Sequence, residues 1–401
     1  MPRKGTWEMA KSGSISLNEV KEATKGFLLL KDDNIIDVAC AVYVANKLQS
    51  DPLWMFLTGP PSSAKTEILR AMDGHDNVTL LSSLTPQTLI SGKTTKGKGN
   101  QSLLPKLNGK LLIIKDFGTI LTMYREARGE IFAQLREVYD GQYSKAFGTG
   151  ESISWDGKIG LLAATTPVID KYMSVNQMLG ERFLHYRVGD DDAFGVAGQA
   201  FGSVFEEETN RETFRNRMNE FVAQFDDDLT VDIALISDVR ERIMSLAIFC
   251  AHARSAVFRN PHDKSLEAMP QPEGPARLVK QFKLLTVALA IVRGENEISE
   301  EVYEIVKKTA RDTLPRLRLK VLEALWQLFQ SDPVDWPTTR EVAMAAGMPT
   351  VTAKLKLENM HLLRLVDQDT EAGTSEKRPY IWQPSELMIR LVEITKCLAS
   401  Y

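Results

Sequence analysis

Residues 56–69 read FLTGPPSSAKTEIL, and the possible architectures of the chain narrow sharply with how this stretch folds. The run LWMFLTG, ending at Gly59, is apolar and short, as a buried strand is. KTEILRAMDG then places apolar residues at helical spacing and offers Gly74 as a stop. Strand, turn and helix are the setting of the phosphate-binding pattern G-x-x-x-x-G-K-[ST]. Gly59 opens the pattern, Lys65 and Thr66 close it, and Ala64 stands where a second glycine belongs. Ala64 adds one methyl and is expected to keep right-handed dihedrals. The expected cradle is Gly59, Pro60, Pro61, Ser62, Ser63, Ala64, Lys65 and Thr66, with N–H groups from Pro61 to Thr66 facing phosphates. Lys65 would reach the β/γ oxygens and the Thr66 hydroxyl would ligate Mg²⁺.

Composition sets the frame around this loop. A chain of 401 residues is long enough for two or three domains. Its hydrophobic fraction of 43% and charged fraction of 25% are those of a soluble globular protein. A net charge of −4 gives no global basic field, so nucleic-acid binding would rest on local patches. Cys40, Cys250 and Cys397 are far apart, and the five histidines have no ligand spacing, which argues against disulfides and zinc. The start, MPRKGTWEMAKSGSIS, lacks the apolar core of a secretory signal, and no run is long enough to span a bilayer. A cytoplasmic protein without a membrane partner is expected.

Further along, KLLIIKDFGTIL predicts a second strand, Leu111–Ile114, followed by Lys115, Asp116 and Phe117. A phosphate-binding loop needs acids at the end of such a strand. Here there is one, Asp116, which serves the metal or acts as the base. Neighbouring residues of a regular strand face opposite sides, so Lys115 is expected to point away from Asp116. WDGKIGLLAATTPVID predicts a third strand ending in Thr165 and Thr166, which could orient water or cap the next turn. Arg182 precedes another short strand. An arginine there completes a neighbour's site in trans or forms a surface ion pair.

The order of these motifs, from about Asp51 to Pro315, resembles an AAA+ ATPase, and within that class the minichromosome-maintenance helicase and related hairpin-insert branches. AAA+ proteins of bacterial and phage mobile elements are more similar still. The resemblance implies a P-loop α/β core, a parallel sheet between helices, with a helical lid. It aligns the family DEF with KDF, giving Asp116 the catalytic-acid position and Lys115 that of the metal-side acid. It aligns AANP with ATTP, making Thr166 the sensor residue, and SRF with ERF, making Arg182 the arginine finger. Arg277 falls at the second sensor position. A lid helix is capped by Ser299, with Glu300 and Glu301 in its first turn. The cofactors implied are ATP and Mg²⁺. The active unit implied is a homo-oligomeric ring or spiral, most often a hexamer.

Two segments are candidates for a DNA-binding pore. SGKTTKGKGNQSLLPKLNGK carries Lys93, Lys96, Lys98, Lys106 and Lys110, which suits either phosphate-backbone contact or plain solvation. DGQYSKAFGTGESISWDGK predicts a hairpin packed by Tyr143, Phe147 and Trp155. Family hairpins carry a Lys-Ala pair at the tip, which Lys145 and Ala146 match, leaving Lys145 free to grip a phosphate. From Arg318 onward, helix, turn at Gly347 and helix resemble a winged helix. That domain would aim Thr350, Thr352, Lys354 and Lys356 at DNA, with Lys377 and Arg378 in the wing, or dock a partner protein instead. The domains expected are an N-terminal helical segment (1–50), the nucleotide-binding core (51–190), the lid region (191–317) and the winged helix (318–401). Acid runs between Gly189 and Gln271 are expected to be solvated helix ends and loops.

Three functions compete at this point. The first is an ATP-driven motor that translocates on or remodels DNA, helicase-like. The second is an ATP-gated assembly platform with slow hydrolysis, such as a replication loader or a transposition or defence regulator. The third, a MoxR-type protein remodeller, ranks last because no aromatic-hydrophobic pore loop is found.

Overall fold

The computed structural model describes residues 15–91, 94–95, 99–100, 102–147, 152–172, 181–189, 192–226, 229, 237–260, 262–369 and 379–398. They fall into two compact units. The first comprises Met1–Tyr172, Leu179–Leu235 and Leu284–Ile305; the second comprises Met173–Met178, Ile236–Lys283 and Val306–Tyr401. The region expected as a lid, 191–317, is therefore divided between them.

The first unit is mixed α/β. The described strands of the chain are β1 (Trp54–Thr58), β2 (Val78–Leu81), β3 (Thr94–Thr95), β4 (Gly99–Asn100), β5 (Leu111–Ile114), β6 (Gln142–Ala146), β7 (Ser152–Asp156), β8 (Gly160–Thr165), β9 (Phe183–Arg187), β10 (Val366–Gln368) and β11 (Trp382–Pro384). Five of them form one sheet in the order β2-β5-β8-β1-β9, every pair parallel. All residues of β1, β5 and β8 are buried. Helices cover both faces of such a sheet, which is why these strands read as continuous apolar runs without polar alternation. The helix Asn34–Lys47, buried from Ile35 to Asn46, packs on β1 and β8. Its C-terminal carbonyls are capped by Lys158, whose Nζ donates to Ala45 O (3.1 Å) and Leu48 O (2.6 Å).

Aromatic packing fixes the strand ends that matter most. Phe56 of β1 stacks on Phe183 of β9 at 4.0 Å, and Phe117 meets Phe56 edge-on at 4.7 Å. Phe117 is fully buried, and burying it is worth roughly 1.5–3 kcal/mol. That anchor holds the neighbouring Asp116 at the sheet edge. Phe117 N–H also donates to Ala164 O (2.8 Å), tying the acid's loop to β8. The expected hairpin forms: β6 pairs with β7, and Tyr143 and Trp155 are buried in the core cluster.

In the second unit, the helices Arg316–Ser331, Thr339–Ala345 and Thr350–Leu362 are followed by the antiparallel pair β10–β11 and the helix Glu386–Thr395. Thr338 and Glu341 close a capping box at one helix start. Gly347, in the turn between two helices, has a φ of +61°, the conformation that favours glycine there.

Candidate active site

The C-terminal ends of β1, β5 and β8 meet at one edge of the sheet, where ligands of open parallel sheets bind. Gly59 N–H donates to Thr165 O (3.2 Å), so the loop after β1 is held against the end of β8. A cleft of about 630 Å³ opens at this edge. It is lined by the loop from Pro61 to Thr66 and by Lys115, Asp116, Thr165 and Thr166.

Within the loop, Lys65 Nζ donates to Gly59 O (2.9 Å), Pro60 O (2.7 Å) and Ser63 Oγ (2.5 Å). The ammonium thus sits among acceptors of its own loop, and phosphate oxygens are acceptors of the same kind. Among the described residues, the N–H groups of Ser62, Ser63 and Ala64 donate no hydrogen bond. They are spare donors, as an anion cradle requires. Pro60 and Pro61 contribute none, because proline has no N–H; the cradle expected from Pro61 onward starts at Ser62. Gly59 cannot be replaced freely. A Cβ there would lie 2.8 Å from Ser63 Oγ and 3.1 Å from Val188 Cβ.

Ala64 departs from the sequence expectation. Its φ is +57° and its ψ −15°, left-handed and not right-handed. Ser62 is left-handed too, at φ +63°. The loop must reverse direction within a few residues, and two side chains accept the steric cost. For an L-residue this costs roughly 1–2 kcal/mol.

The alternation expected of Lys115 and Asp116 presupposes a regular strand. β5 ends at Ile114, before either of them, and both residues line the cleft. Asp116 is exposed, with Oδ1 accepting Gly118 N–H at 2.8 Å. Thr165 is buried and Thr166 starts a 3₁₀ turn, Pro167–Lys171. A Lys, a Thr, one Asp and two further hydroxyls around spare amide donors make a donor set suited to a nucleoside triphosphate with a divalent ion. Among the described residues no cluster of three or more His, Cys, Asp or Glu could hold a metal by itself.

Other lining residues escaped the sequence reading. Phe27, Leu28 and Leu29 come from the segment after the helix Leu17–Glu22, and Val196, Gln199, Ala200 and Glu207 from the chain after β9. The run GFLLL at 26–30, too short for a helix and outside any strand, was the available signal. Glu207 pairs with Arg211 at 2.6 Å, and Arg211 also holds Glu67 at 2.9 Å, one residue beyond Thr66.

Two predicted residues of the first unit, Arg182 and Lys145, do not line the cleft. Arg182 is mostly buried, paired with Asp140 (2.8 Å) and lying over the Tyr139 ring. Lys145 is not a free hairpin tip. It lies within β6, opposite Ile153, and pairs with Glu130 at 2.9 Å. Arg277 stands in the first turn of the helix Ala276–Arg293, half-buried, in the part of that helix assigned to the second unit. Lys354 lies over the Tyr380 ring with Glu358 at 3.9 Å. Lys356 is half-buried, and burial lowers its pKa, with Arg318 and Arg259 adding repulsion; it is not aimed outward as expected. Lys93, Lys96, Lys98, Lys377 and Arg378 lie outside the described residues.

The chain matches no protein-family model and no curated protein. What stands on the geometry alone is a mixed α/β protein with a five-stranded parallel sheet flanked by helices and a polar cleft at the sheet's C-terminal edge. Among the described residues no helix is long and apolar enough to cross a membrane.

Proposed function

We propose that this chain is an AAA+-type P-loop ATPase that binds and hydrolyses ATP with Mg²⁺, assembles with copies of itself, and acts on DNA. The observation that carries the reading is the convergence of Lys65, Thr66, Asp116, Thr165 and Thr166 on one cleft around unpaired backbone donors. The apolar wall of Phe27, Leu28, Leu29, Val196 and Ala200 suits a nucleobase.

When bound, Mg²⁺-ATP supplies the phosphoanhydride and the divalent charge. Lys65 would exchange its loop acceptors for phosphate oxygens. The Ser62, Ser63 and Ala64 N–H groups would donate to the same anion, and the Thr66 hydroxyl would hold the metal. Asp116, open to solvent, would serve the metal or take a proton from water, and Thr166 would position that water. With Lys115 beside it, the single acid favours slow turnover. Arg182 acts in trans only by exchanging Asp140 for a neighbour's phosphate.

The second reading, an ATP-gated assembly platform, gains from the engagement of Lys145 with Glu130 and of Lys354 with Tyr380. The C-terminal helices and β10–β11 fit a winged helix. Exposed Met344 (71%) and Val351 (82%) beside its turn favour a protein partner over DNA.

Steady-state ATPase, measured over a range of protein concentrations with and without DNA, tests both readings. A motor gives DNA-stimulated turnover that rises steeply with protein concentration, is absent in Lys65→Ala and is lost in Arg182→Ala. A slow rate indifferent to DNA leaves the assembly platform. No turnover and no ATP binding in the wild type overturns both.

A further inference from the structure

The helix Ala193–Ser203, AFGVAGQAFGS, divides cleanly into two faces. Val196, Gln199 and Ala200 line the nucleotide cleft. Phe194, Gly198 and Phe201, spaced four and three residues apart, project from the opposite side, and Phe205 continues that line just past the helix end. Phe194 is 91% exposed, Phe201 86% and Phe205 98%. A Cβ at Gly198 or Gly202 would meet nothing within 4 Å, so the helix is open to solvent at both positions.

Phenylalanines cover roughly 150–250 Å² each when buried, so three of them offer on the order of 600 Å² of apolar contact. A standard interface takes about 800 Å² from each partner. This face is therefore nearly large enough to seat a stable neighbour. Its rim is acidic: Asp192 precedes the helix, and Glu206 and Glu208 follow, both exposed. Anionic lipid is thereby disfavoured, and a cationic-aromatic partner favoured.

The same unit carries such a surface. Tyr124 is 88% exposed at the start of the helix Arg125–Tyr139, beside exposed Arg125. Arg128, in the next turn, lies 4.8 Å from the Tyr172 ring, which brings exposed Lys171 to the same corner. Among the described residues, the acids facing these cations are exposed Glu126 and half-buried Asp170, and Asp170 is already held by Arg187 at 2.6 Å.

We propose that the phenylalanine face of one copy docks the Tyr124–Arg125–Lys171 corner of a second copy, head to tail. Such a heterologous contact repeats, and it closes into a ring or runs as a spiral. Because the docked helix is also a wall of the cleft, nucleotide and assembly act on one element. The inference deepens the assembly part of the proposed function, but its test reads mass and needs no hydrolysis.

Mass is measured by sedimentation or mass photometry, with and without ATP, in full-length wild type, Phe201→Glu/Phe205→Glu and Arg125→Glu/Lys171→Glu. Both double variants alter exposed side chains and leave the cleft residues intact. Wild type is expected to form oligomers and each double variant to be monomeric. An equimolar mixture of the two is expected to give dimers and nothing larger, since one intact face meets one intact corner. A phenylalanine variant that assembles like wild type overturns the proposal, as does a wild type that stays monomeric. A phenylalanine face engaged by residues 1–14 of its own chain, whose deletion alone changes the mass, overturns it too. Loss of ATPase with assembly intact would overturn the enzymatic reading and leave the interface standing.

Discussion

At the residue scale, the loop pattern was legible because each position answers to a backbone or charge requirement. Gly59 is crowded by Ser63 and Val188, and Lys65 is caught among carbonyls. The left-handed turn at Ala64 was not legible, since residue identity gave no sign that the pattern's usual glycine had been replaced without changing the backbone. That difference sets a prediction. Ala64→Gly removes a strained Cβ and should raise stability by about 0.5–1 kcal/mol, with ATP affinity equal or tighter. Thermal unfolding and a nucleotide titration measure both, and weaker ATP binding would count against the cradle. Asp116→Asn is the companion test. The amide oxygen can still accept Gly118 N–H, so the fold should hold while hydrolysis falls by about 10²-fold or more and ATP binding persists.

At the element scale, packing explains what the sequence could and could not give. Apolar runs bounded by Gly, Pro and acids marked β1, β5 and β8, because strands buried on both faces need nothing but apolar residues. Ser299 was legible as a cap, and its Oγ accepts Val302 N–H at 3.3 Å. The helix Ala193–Ser203 lies in a region that reads as helical, but its phenylalanine face went unread, because only the fold shows which side is left uncovered. Asp37 was equally hidden. It is fully buried in the helix Asn34–Lys47, between Lys21 (2.6 Å) and Arg293 (2.7 Å). Burial raises its pKa above the ordinary value, while Lys21 and Arg293 oppose the shift. Arg293→Met leaves the carboxylate one cation short and should cost about 3–5 kcal/mol near neutral pH. The sign of the pH dependence follows. A carboxyl with a raised folded pKa binds more protons folded than unfolded, so stability falls as pH rises from the ordinary carboxylate range through the folded pKa. The variant's deficit should therefore be smallest in acid and grow toward neutrality. A deficit independent of pH, by denaturant titration, would rule out Asp37 as its source.

At the scale of the whole molecule, two compact units imply two cooperative transitions instead of one. The cleft is described by residues of the first unit alone, so its ligand should stabilise that unit by mass action, about 2.7 kcal/mol at a hundredfold excess over Kd. The second unit has its own internal fastener. Arg318 is buried and donates through one guanidinium nitrogen to Ala253 O (2.9 Å) and Ser255 O (2.6 Å), closing the end of the helix Ser237–Arg254. Arg318→Met leaves both carbonyls without that donor and should remove about 1–3 kcal/mol from the second transition. Calorimetry of the full chain separates the two effects. ATP should raise the first transition in wild type and in Arg318→Met alike and leave it unmoved in Lys65→Ala, whereas Arg318→Met should lower the second with or without ATP. If both perturbations moved a single transition together, the units would be folding as one, and stability could no longer be assigned to the cleft and to the C-terminal helices separately.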